Sequence, residues 1–98
     1  MMNITMTQPA FKWFLEEMNL EKNDAVRFYV RYGGSPQLIA GFSIGIEVSA
    51  PSTPVTQMEK DGITFFIEQK DAWYFKDHSL HIKFSRKINE IEFEYIQD

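Results

Sequence analysis

The sequence predicts a strand-rich α+β fold, and three observations carry that reading. Apolar residues recur at three- and four-residue spacing in one early segment, "TQPAFKWFLEEM". Further on they alternate with polar residues in "AVRFYVRY", "GFSIGIEV", "ITFFI", "LHIKFS" and "EIEFEY". Between these runs lie clusters of turn formers, "YGGSP", "SAPSTP" and "KDG". With 98 residues the chain is near the commonest domain size and too short for two ordinary cores, so a single domain over 1–98 is expected. Its 44% hydrophobic residues supply enough apolar area to fold without disulfide staples.

Taken in order, "NITM" reads as a short strand, and Thr7 can cap a helix whose first turn tolerates Pro9, because the missing proline N–H has no partner there anyway. The helix is predicted to run to about Met18, with Phe11, Phe14, Leu15 and Met18 on the face that must be buried. Trp13 points nearly the opposite way, so it is either covered by a loop or terminus or stands as an anchor for a partner. After the turn "EKND", Val26, Phe28, Val30 and Tyr32 alternate with Arg27, Tyr29 and Arg31. The answering strand sets Phe42, Ile44, Ile46 and Val48 against Ser43, Gly45 and Glu47. A hairpin centred near Gln37 would place Tyr29 opposite Gly45 and Arg27 opposite Glu47.

"SAPSTP" cannot continue a central strand and is expected as a loop within the domain. Asp61-Gly62 suits a turn of positive φ joining "VTQME" to "ITFFI", with Ile63, Phe65 and Ile67 facing inward. A brief helical turn is expected at "KDAWYF". Two half-buried strands follow, Leu80, Ile82 and Phe84 alternating with His81 and Lys83, then Ile91, Phe93 and Tyr95 alternating with Glu90, Glu92 and Glu94.

Charge and composition narrow the function. Fourteen acidic against ten basic residues give a net charge of −4, which repels polyanions and argues against nucleic acid as a partner. "LIAGFSIGI" is about half the length a bilayer requires, and "MMNITMTQPAF" has no basic segment followed by an apolar one, so no membrane is implicated and a cytoplasmic location is expected. The chain has no cysteine, which removes disulfides, thiolate nucleophiles and the usual zinc or iron–sulfur ligands together. No serine sits in a nucleophile elbow, and the glycines of "RYGGSPQL" lack the lysine-serine pair and helix of a phosphate loop. The chain is therefore expected not to be an enzyme, with no catalytic residue, metal or cofactor.

Four constellations still deserve weighing. Gly33 and Gly34 would let backbone approach a ligand closely, with Ser35 a weak ligand at the bend, yet the same glycines serve a hairpin that needs their torsions. His78 and His81 have the spacing of half a metal site, but one falls in a turn and the other on a strand. Glu90, Glu92 and Glu94 lie roughly 7 Å apart along a strand and cannot converge on one ion. Arg27, Tyr29 and Arg31 could grip an anion, or could simply be a wet strand face paired to acids.

The order of elements adds a resemblance. "ITMTQPAFKWF", "VRFYVRYGGS", "DGITFFIEQKDAWYF" and "LHIKFSRKINEIEFEY" resemble, in turn, the opening strand and capped helix, the strand leading to the ligand loop, the glycine-turn strand with its short helix, and the closing strands of the HesB-like family of A-type iron–sulfur carriers. That resemblance implies mixed sheets packed with one main N-terminal helix and a short second helix. It also implies three cluster-binding cysteines, one in the glycine loop and two in a tail beyond the last strand. Here Ser35 stands in the loop position and the sequence ends at "EYIQD" before a tail pair. Cluster carriage by the family mechanism is thus expected to be absent, and the chain looks closest to the cysteine-free YneR-type branch. Two roles follow as expectations. One is an interaction protein whose partner belongs to iron–sulfur assembly, contacted through Gly33, Gly34, Ser35 and Trp13. The other is a module binding a small ligand, an anion or a metal through oxygen and nitrogen. Oligomeric state is left open.

Overall fold

A computed structural model describes residues 2–34 and 38–97. The elements run β1 (Ile4–Met6), α1 (Gln8–Glu17), β2 (Ala25–Tyr32), β3 (Phe42–Val48), β4 (Pro54–Lys60), β5 (Ile63–Glu68), a 3₁₀ turn (Gln69–Asp71), α2 (Ala72–Phe75), β6 (His78–Ser85) and β7 (Glu90–Gln97). They form two mixed sheets, β3-β2-β5-β4 and β1-β6-β7. Each contains one parallel pair, β2 with β5 and β1 with β6, beside antiparallel neighbours. The α+β, strand-rich class is the one the alternating segments predict.

Local chemistry explains the first elements. The Thr7 hydroxyl accepts the Ala10 N–H at 3.3 Å and Pro9 lies in the first helical turn, so α1 starts where sequence placed it. Thr7→Ala is expected to cost about 1 kcal/mol, read as a lower urea midpoint at constant m. Asp61 and Gly62 both adopt positive φ, 48° and 82°, and turn β4 into β5. The β2–β3 register pairs Arg27 with Glu47 and Tyr29 with Gly45, as the alternation predicts.

One aromatic cluster joins both sheets to α1. Phe65 stacks at 6.1 Å on Phe28 and receives the edges of Phe11 and Phe14, while Phe28 meets Phe93 of the other sheet at 5.9 Å. Ile4, Ala10, Val26, Ile63, Ile67, Tyr74, Phe75, Leu80 and Ile82 belong to the same buried core. On β5 the burial exceeds the prediction: beyond Ile63, Phe65 and Ile67, Phe66 and Glu68 on the opposite face are buried too. The Glu68 carboxylate accepts the N–H groups of Ser52 and Thr53, both at 2.7 Å, and so holds the predicted loop against that second face.

The hydroxyls of Tyr74 on α2 and Tyr95 on β7 lie 3.2 Å apart. Burial, and then the hydrogen bond to Tyr74, raise the Tyr95 pKa well above the ordinary tyrosine value. A pKa raised in the folded state stabilises fully below the unfolded value and is lost as pH climbs past it. Stability is therefore expected to fall above about pH 10, where the unfolded tyrosine ionises and the folded Tyr95 keeps its proton. Tyr95→Phe should flatten that decline in urea titrations at stepped pH.

Candidate functional site

The glycine loop closes the β2–β3 hairpin. Gly33 and Gly34 take φ of 98° and 76°, and Gly41 takes 89°, in the left-handed region that side chains disfavour. The Gly33 N–H donates to the Gly41 carbonyl at 2.7 Å, and the Ser43 hydroxyl donates to the Gly33 carbonyl at 2.8 Å. A Cβ on Gly34 would collide with that hydroxyl. Both glycines thus have a structural duty; Ser35, the third residue singled out here, lies outside the described residues.

Beside this loop stands an aromatic group that sequence reasoning missed. Phe42 lies between Tyr32 and Trp73, with ring centroids at 5.7 Å and 5.2 Å, and Trp73 continues to the buried Tyr74 at 6.1 Å. Tyr32 is 85% exposed and Trp73 52% exposed. Tyr32 shares the inward parity of Val26 and Phe28, but the strand has run past the core by the time it is reached. Only the pairing of α2 with the hairpin end, 31 residues apart in sequence for Phe42 and Trp73, could have revealed the patch.

Arg27, by contrast, is committed to its own fold. Its Nη1 donates to Glu47 at 3.0 Å and its Nη2 to Asp71 at 2.7 Å, while its side chain is only 16% exposed. These two carboxylates outweigh the desolvation that opposes them and raise the guanidinium pKa further. The guanidinium also lies 5.4 Å from the Tyr29 ring centre. Its Nε is buried and has no hydrogen-bond partner among the described residues. An anion at this point would have to displace a carboxylate already seated.

Trp13, Tyr29 and Arg31 meet in one groove of about 490 Å³, together with Gly45, Glu90 and Phe93. Trp13 is half-buried and packs edge-on to Phe14 at 5.2 Å. Tyr29 lies across Gly45, where any Cβ would strike its ring. Arg31 is exposed and makes no ion pair among the described residues. The structure therefore brings three of the four candidate surface residues together in one groove, while Arg27 touches Tyr29 from outside it and is held by Glu47 and Asp71.

The histidines do not converge. The Nδ1 of His78 donates to the Phe75 carbonyl at 2.9 Å, whereas that of His81 bonds the Thr5 hydroxyl at 2.7 Å. Among the described residues no cluster of three or more His, Cys, Asp or Glu could hold a metal ion. Nor is any helix long and apolar enough to cross a membrane among those residues.

Comparison with known proteins places these features in context. The family described as iron-sulphur cluster biosynthesis matches residues 2–95. A Bacillus subtilis (strain 168) protein named Pyruvate dehydrogenase inhibitor is 47% identical over 94 residues, covering 96% of this chain and 99% of its own length. An uncharacterized Staphylococcus saprophyticus protein is 40% identical over 95 residues, covering 94% and 97%. Another, from Staphylococcus aureus (strain MRSA252), is 35% identical over 96 residues with the same coverage. An iron–sulfur cluster needs soft thiolate donors, and this sequence holds none. The residues present do not fit such a group.

Proposed function

Because the chain belongs to the iron-sulphur cluster biosynthesis family and yet has no cysteine, we propose that it works without catalysis, as a cytoplasmic protein that binds and restrains an enzyme. The partner proposed is a component of the pyruvate dehydrogenase complex. The observation that carries this reading is the edge-on row of Tyr32, Phe42 and Trp73 beside the glycine loop, the end at which the HesB-like resemblance puts the ligand loop. Tryptophan and tyrosine are among the side chains that dominate the binding energy of protein interfaces, and here Trp73 is half-exposed and Tyr32 almost fully so. Support for the partner's identity comes from the name of the Bacillus subtilis relative, which aligns along nearly the whole of both chains.

The test is direct. Purified protein added to an active pyruvate dehydrogenase complex is expected to lower its rate in a saturable manner, and to co-sediment with it. Full activity at saturating protein, with no co-sedimentation, would remove the reading. Capture of an iron–sulfur assembly protein instead would move the partner back to that machinery.

A further inference from the structure

Among the described residues both sheets are open, so β1, β7, β3 and β4 are edge strands, and three of these are guarded against pairing with another chain. β1 has only three residues. β4 begins at Pro54, shifts register between Pro54 and Thr56, and ends in Glu59 and Lys60. β7 exposes Glu90, Glu92 and Glu94. Short length, proline, bulges and charge are the devices that keep an edge from templating a new strand. β3 has none of them. Its seven residues pair with β2 without a register shift, and its one charge, Glu47, is already bridged by Arg27.

The direction of its free backbone groups follows from the hydrogen bonds at either end of the hairpin. Ser49 N–H donates to the Ala25 carbonyl at 3.1 Å and Gly33 N–H to the Gly41 carbonyl at 2.7 Å. In a continuous antiparallel ladder the bonded pairs then fall on Ser43, Gly45 and Glu47. Ile44, Ile46 and Val48 must aim their N–H and C=O groups away from β2, off the edge.

We propose that this edge pairs antiparallel with β3 of a second copy about a two-fold axis at Gly45, so that two four-stranded sheets become one. The register sets Phe42 opposite Val48, Ser43 opposite Glu47, Ile44 opposite Ile46 and Gly45 opposite itself, and no other register engages the entire strand. Ile44 and Ile46 fall in bonded pairs, while Gly45 occupies the closer non-bonded position, where Cα atoms approach to about 4.5 Å. The two Tyr29 rings, each lying over its own Gly45, cover that central pair from the same face.

Charge complementarity favours a second copy over any other strand. Arg31 stands behind Ser43 on β2, and Ser43 is short enough for the guanidinium to reach across it. In the paired register the residue facing Ser43 is Glu47 of the second copy. Arg31, unpaired among the described residues, thereby shares the carboxylate whose Oε1 already takes Arg27 of that copy, twice by symmetry, and no like charges face each other along the strand.

This inference does not depend on the enzyme partner proposed above, and its experiment is separate. Sedimentation equilibrium of the full chain is expected to show a reversible dimer. Hydrogen exchange should find the Ile44, Ile46 and Val48 amides slowed in the dimer and released on dilution. Arg31→Glu, at an exposed site, should raise the dimer dissociation constant about tenfold while leaving the urea midpoint of the monomer unchanged. A chain that stays monomeric into the millimolar range, or a dimer whose three amides exchange as fast as the monomer's, overturns the proposal. So does protection that appears only when a pyruvate dehydrogenase component is added, which would give this edge to a strand of that enzyme.

Discussion

Asp71→Ala is expected to cost about 2–4 kcal/mol, the largest loss of stability from removing any one polar side chain described above. Asp71 is 6% exposed and sits in the 3₁₀ turn that follows β5. One carboxylate oxygen takes Arg27 Nη2 at 2.7 Å, and the other accepts the Val30 N–H at 3.3 Å. Parallel pairing of β2 with β5 ends at Arg27 and Phe66, so beyond that point the Asp71 carboxylate replaces the strand carbonyl that is no longer there. Alanine leaves a strand amide and half a guanidinium without partners, in a side chain whose Nε is already unsatisfied among the described residues. Glu47, more exposed than Asp71, offsets part of the remaining charge, which holds the loss below that of a wholly stranded ion. Asp71→Asn keeps acceptor geometry at the amide and should lose roughly half as much. Urea midpoints for the two variants, at unchanged m, check both the size and the order. Against a net stability of about 5–15 kcal/mol, the alanine variant approaches the margin at which the fold fails.

Trp73→Ala is expected to weaken the proposed inhibition of pyruvate dehydrogenase by about 30-fold or more, corresponding to roughly 2 kcal/mol or more at an interface hot spot. Half of the indole is in solvent, and the other half rests on Phe42 and Tyr74. Its removal should therefore cost less than about 1 kcal/mol in folding, so a binding loss cannot be mistaken for unfolding. Titrating the enzyme's rate with each protein, alongside thermal melts, separates the two. If the variant inhibits as well as the parent, the contact lies away from the glycine-loop end, and the groove holding Trp13, Tyr29 and Arg31 becomes the surface to vary next.

Features governed by neighbours in sequence were legible before any coordinates. The helix stripe of Phe11 and Phe14, the Thr7 cap, the Asp61-Gly62 turn and the pairing of Arg27 with Glu47 all follow from period, capping and turn chemistry acting within about twenty residues. Burial of Phe66 and Glu68 was not legible, because alternation reveals one buried face and cannot announce that a distant loop covers the other. Tyr32 failed for the converse reason: parity assigned it inward, but a strand longer than the core carries its end into water.

By itself, the amino-acid sequence determined that this chain would be strand-rich, cysteine-free and unable to hold a cluster through sulfur, since composition and local periodicity act without regard to the rest of the fold. Only the tertiary structure decided that Asp71 finishes the β2 ladder, that Trp73 meets Phe42 beside the glycine loop, and that β3 is the one unguarded edge among the described residues. Those contacts join segments separated by tens of residues through parallel crossovers and sheet order, and no local pattern in the chain records which distant surfaces will meet.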